Sequence, residues 1–150
     1  MKTLKSTFFS LIFIFVCYNT SYGQDQISAT LKCNVAALEA GNPAYQVCQF
    51  TDQERGTDTR EYTIKAEVGD TITWDGESSD GSAAIDIRKI KYHKGTNVFN
   101  NREIDGETTV VGIVENKTNG KPYKYKISFK INNTGKTYTI DPKIIVGAGQ

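Results

Sequence analysis

Histidine is almost absent from this chain: His93 is the single one, and the single methionine is the initiator. Nucleophilic catalysis by the common routes needs a histidine or lysine base beside Ser, Cys or Thr, and no Gly-x-Ser-x-Gly elbow occurs. His93 lies in Tyr92-His93-Lys94-Gly95-Thr96-Asn97 and reads as a surface turn residue at the end of a strand. Cysteine is sparse as well. Cys17, Cys33 and Cys48 contain no Cys-x-x-Cys motif, which argues against a redox-active pair. Neither sign of charge dominates, with 18 Lys and Arg against 17 Asp and Glu, so the chain as a whole is not a nucleic-acid binder. Internal repeats, low-complexity tracts and Pro/Ser-rich linkers are missing too, and no second domain boundary is expected.

What is present begins with a leader. Lys2 and Lys5 supply a positive region, Phe8 to Val16 an unbroken apolar run, and Ser21-Tyr22-Gly23 small residues at the two positions a signal peptidase reads. Residues 1–23 are therefore expected to be a signal peptide cut between Gly23 and Gln24, leaving a secreted or periplasmic domain over 24–150 with no stable membrane insertion. An uncleaved anchor would need about 20 apolar residues, roughly twice the run found. Lipid attachment at Cys17 would want Gly, Ala or Ser before the cysteine, where Val16 stands. Cleavage leaves Cys33 and Cys48, an even count in a compartment where disulfides persist, and they are expected to be bonded.

The remaining charge is uneven. Gln24 to Ile85 carries four basic residues against eleven acidic, and Asp86 to Gln150 twelve basic against six acidic. The halves either interleave and neutralise each other in the fold, or leave a basic face for an anionic polymer.

Nearly every periodic segment alternates with period two between turn residues, which means strands. In Tyr123 to Ile131, the odd-numbered Tyr123, Tyr125, Ile127, Phe129 and Ile131 face the core and Lys124, Lys126, Ser128 and Lys130 face water. Asn132 to Gly135 turns the chain back into Lys136 to Ile140. Tyr62, Ile64, Ala66 and Val68 form one inward face, and Ile72 with Trp74 another. Ile85 and Ile87 share one parity and Ile90 and Tyr92 the other, a phase slip that predicts a β-bulge at Arg88-Lys89. Further strands are predicted at 27–33, 46–50 and 108–114, with a helical turn at Val35 to Ala40 stopped by Gly41 and Pro43. About eight short strands in a chain of this length predict an all-β, antiparallel β-sandwich with one disulfide; a small closed barrel is the alternative.

Chemistry is thinly marked. Asp75, Glu77 and Asp80 concentrate carboxylates in what reads as a loop, the raw material for a calcium site, although the sixth position counted from Asp75 is Asp80 and not the Gly of an EF-hand. The phrase Val68-Gly69-Asp70-Thr71-Ile72-Thr73-Trp74 resembles one common in cupredoxins, over that strand pair alone. The resemblance implies a secreted sandwich fold of cupredoxin-like or Ig-like architecture. Its copper does not carry over, since a ligand set of two His and a Cys is not available. Tyr138 to Val146, with Asp141-Pro142 before an apolar run, resembles the closing strand of small bacterial β-sandwich proteins of the DP-EP group, which implies no activity. Pro142 marks an edge or a bend there.

No cofactor and no catalytic residue is implied. The expected function is non-enzymatic binding of a carbohydrate or of a protein of the envelope or extracellular space, through end loops such as Asp75 to Gly81, Gly95 to Gly106 and Glu115 to Lys121. A small hydrolase using an acidic pair, and a secreted inhibitor or toxin, are the alternatives.

Overall fold

The computed structural model describes residues 24–147; the segment expected to be a signal peptide, with Cys17, lies outside the described residues. In chain order the strands are β1 (Gln26–Cys33), β2 (Cys48–Phe50), β3 (Thr63–Ala66), β4 (Thr71–Ser78), β5 (Ile85–Lys94), β6 (Glu103–Asp105), β7 (Val110–Ile113), β8 (Tyr123–Ile131), β9 (Thr134–Ile140) and β10 (Lys143–Val146). Two short helices, α1 (Val35–Glu39) and α2 (Ala44–Val47), lie between β1 and β2. One sheet runs β2-β1-β4-β7 and the other β3-β10-β8-β5-β6, with β9 also paired to β8. The result is the all-β sandwich-like fold the alternation predicts, carrying a Cys33–Cys48 disulfide.

The core lies between the sheets. Trp74 on β4 and Tyr125 on β8 are both fully buried, and the Trp74 Nε1–H donates to the Tyr125 hydroxyl at 3.1 Å. Phe99 meets Trp74 edge-on and Tyr123 stacks on Tyr125, so four aromatic rings join the two layers. The odd-numbered positions of β8 are all buried, as its parity requires. On β5, Ile85, Ile87 and Ile90 are all buried because the register slips between Ile87 and Lys89, at the predicted bulge. Asn132 and Asn133, both at positive φ (48° and 52°), make the two-residue turn between β8 and β9.

Five details depart from expectation. Ten strands form, because Glu103–Asp105 and Lys143–Val146 also pair. Two pairings are parallel, β1 with β4 and β3 with β10, since each is reached by a long crossover and not a hairpin. The segment expected as a strand over 46–50 begins as α2 and extends only from Cys48. Val68 does not face inward: β3 ends at Ala66, and Val68 is 45% exposed in the turn that follows. The loop expected from Asp75 begins later, because β4 continues through Ser78 in register with β1 as far as Cys33.

Candidate functional site

The extension of β4 disperses the carboxylates that suggested calcium. Asp75 and Glu77 sit on β4, where Glu77 pairs with Lys32 of β1 at 3.0 Å. Asp80 lies in the turn beyond, accepting from the Ser82 N–H at 3.0 Å, and hydrogen bonding from the Ser82 hydroxyl and then from that N–H lowers its pKa. Among the described residues no group of three His, Cys, Asp or Glu is placed to hold a metal ion. His93 is exposed at the end of β5.

A concave site forms elsewhere, at the end of the four-stranded sheet beside the disulfide. Its volume is about 980 Å³, and it is walled by the end of β1, by α2, by β2 and by the 51–60 loop, with Ser79 at its rim. The disulfide fixes one wall: Cys33 and Cys48 are register partners across β1 and β2, with an S–S distance of 2.04 Å. Asn34 then caps α1 by accepting from the Ala37 N–H at 3.0 Å.

The polar loop that forms the opposite wall is held by its own side chains. Gln53 Oε1 accepts from the Phe50 N–H while its amide donates to the Thr57 carbonyl at 2.9 Å. Asp58 accepts from the Arg60 N–H at 2.8 Å and starts a short 3-10 turn over Thr59–Glu61. Thr59 is buried, and its hydroxyl donates to the Cys48 carbonyl. Behind the loop, Tyr62 stacks on Phe50 at 3.9 Å and donates to Asp52. Burial and that carboxylate push the Tyr62 phenol well above its usual pKa.

Inside the cleft the chemistry is amide, hydroxyl and guanidinium. Gln46, Gln49, Asn34 and Thr51 line it, and the Arg60 guanidinium lies 3.8 Å over the Tyr45 ring. Asp58 is the one carboxylate among the lining residues, and it is hydrogen-bonded to Arg60, which holds its pKa below the usual carboxylate range. Lys32 is taken up by Glu77. Arg55, at the exposed tip of the loop, has no ion-pair partner among the described residues.

Of the three loops expected to carry binding, only Ser79 in the first reaches this cleft. The Glu115 to Lys121 loop is tied down by the buried Thr118, whose hydroxyl donates to the Val146 carbonyl and accepts from the Val146 N–H, both at 3.0 Å. Tyr45, Gln46, Arg55 and Arg60 were not singled out by the sequence. The available signal was the unbroken polar stretch from Thr51 to Glu61 beside a cysteine.

Among solved structures, the fold is similar to the crystal structure of an inclusion body protein, PixA, from Burkholderia cenocepacia. The two superpose with a TM-score of 0.62 at 11% identity, covering 85% of this chain and 98% of that one, a likeness of fold alone. The search of curated proteins returned no match. Residues 25–139 match the family described as Domain of unknown function (DUF8788), and the chain belongs to that family.

Proposed function

We propose that this is an exported, non-enzymatic binding protein whose cleft beside the disulfide takes a carbohydrate-class ligand. The observation that carries the reading is the lining: amides, hydroxyls and a guanidinium stacked on a tyrosine, around a space large enough for a short oligosaccharide. Polyhydroxylated ligands are recognised by such planar, bidentate donors and acceptors. Hydrolysis by an acidic pair is less well supported. Asp58 has no second carboxylate across the cleft, and a lowered pKa is the opposite of what a general acid needs. The leader and the disulfide both favour an oxidising compartment outside the cytosol.

A glycan array probed with the purified protein tests this, together with calorimetry on the glycan retained. Gln46→Ala with Arg55→Ala removes two exposed groups without touching the core, and should weaken binding at least about tenfold, the cost of losing one or two hydrogen bonds to a charged or polar group. Capture of a protein partner with no retained glycan would replace the carbohydrate by an envelope or extracellular protein as ligand.

A further inference from the structure

The two edges of the four-stranded sheet are built in opposite ways. At β2, every outward backbone group is answered: the Cys48 N–H donates to the Ala44 carbonyl, the Cys48 carbonyl accepts from Thr59, and both polar groups of Phe50 are bonded to Gln53. This edge is closed to any further strand.

β7, the opposite edge, is open. The Thr71 N–H donates to the Asp25 carbonyl on the β1 side and the Val114 N–H to the Asp70 carbonyl on the other. By the alternation of an antiparallel ladder, Ile72 and Trp74 then bond Gly112 and Val110, and the N–H and C=O of Val111 and Ile113 point away from the sheet. Among the described residues none of these four groups has a hydrogen-bond partner. Their side chains are exposed as well, Val111 by 53% and Ile113 by 55%. Charge, proline and bulge, the usual protections of an edge, are all missing from Val110-Val111-Gly112-Ile113. The neighbouring edge strand β6 has that protection, with Glu103 and Asp105 bonded to Lys89.

We propose that β7 is a pairing surface for β7 of a second copy of this chain, antiparallel about a twofold axis through Gly112. In that register Val111 of each copy lies opposite Ile113 of the other, and both are bonded pairs, so all four free groups of each strand are satisfied. The four outer side chains at the seam are then Val111 and Ile113 from each copy, next to Thr73 and Thr71, their register partners on β4. No charge lies among them. Pairing stops at the strand's end, because the next outward N–H, that of Glu115, already donates to the Val98 carbonyl at 2.8 Å. Gly112 is fixed by the chain's own core, where a Cβ would come to 3.0 Å of Phe99 and Ile104, and it adds no side chain to the outer face of the seam. A second copy is the occupant because it sets an uncharged Val–Ile pair at each bonded position of the seam, burying the two exposed apolar side chains of both strands together.

Four-residue pairing makes a small interface, so the dimer is expected to be reversible, with a Kd on the order of micromolar or weaker. It joins two sheets into one of eight strands with β2 at both ends. The two clefts, if they bind as proposed above, then lie at diagonally opposite corners of the joined sheet, so avidity rises only for a ligand long enough to span both.

Sedimentation velocity on the purified protein over rising concentration should show a monomer–dimer equilibrium. Ile113→Pro removes an N–H that faces away from β4, and Val111→Lys puts a charge on the seam; each should weaken the dimer at least about tenfold. Amide exchange on the unaltered protein gives an independent reading, because the Val111 and Ile113 N–H should gain protection with concentration while Gly112 does not. A protein that stays monomeric to millimolar concentration, or a dimer in which both amides exchange freely, overturns the proposal. So does an edge that captures a foreign strand without self-pairing. Glycan binding by a strictly monomeric protein would leave the cleft reading intact and remove this one.

Discussion

Trp74 and Tyr125 hold the two sheets together through a hydrogen bond that no water can replace, because both side chains are fully buried. Replacing Tyr125 by Phe keeps the ring and strands the indole N–H, at a cost of about 1–3 kcal/mol. Trp74→Ala removes the ring as well, and about 3–5 kcal/mol is expected. Denaturant midpoints of the two variants measure this; a neutral Tyr125→Phe would mean that the bond contributes nothing. Gly76 carries a different constraint, since a Cβ at that position would come within 2.4 Å of the Ile85 carbonyl oxygen, where β4 and β5 cross. The first of these depends on a partner 51 residues away, the second on the strand that follows the next turn. Trp74 could be read as core from its parity with Ile72, whereas Tyr125 as its partner could not.

At the scale of single elements, β6 is the weakest strand. It has one apolar residue, Ile104, between Glu103 and Asp105, and its attachment to β5 leans on Lys89 and Lys91. Hydrogen bonds from Lys91, and then from Lys89, lower the Glu103 pKa from 4.5 to about 2. Since the folded value lies below the unfolded one, the pairing is fully present above about pH 4.5 and fades as the pH falls towards 2. A carbon-detected titration should place the Glu103 midpoint near 2 in low salt, moving up as salt screens the pairs. A midpoint that stays at the ordinary 4.5 in low salt would show the bridges are not populated. The same element shows why some strands escape a reading of the chain. β8 declares itself through five alternating apolar positions and β5 through its phase slip, but Glu103-Ile104-Asp105 is too short for any period. Ala44-Tyr45-Gln46-Val47 is equally brief and could be either type. Asp75-Gly76-Glu77-Ser78 has the composition of a turn, and only pairing with Thr30 to Cys33 makes it strand. Of these segments only Ala44–Val47 lines the cleft, and beside it the polar loop was visible as polar while the concavity was not.

Taken whole, the molecule is stapled at one end, where the disulfide closes a separation of 15 residues that carries α1 and α2. Removing it as Cys33→Ala with Cys48→Ala should cost about 3 kcal/mol by loop-closure entropy. Thermal melts with and without reductant measure this, and the double variant should melt as the reduced protein does. An oxidised protein no more stable than the reduced one would remove the staple from the account. Sheet order has a further effect, on the timing of folding. β10 lies between β3 and β8, so the larger sheet is split into separate pieces until residues 143–146 are in place. A chain emerging from its N-terminus can pair β1 with β4 early, yet β3 has no ladder partner until β10 follows it. The larger sheet therefore becomes one cooperative body only when β10 is laid between β3 and β8, and a chain halted before residue 143 would hold β3 as a loose end.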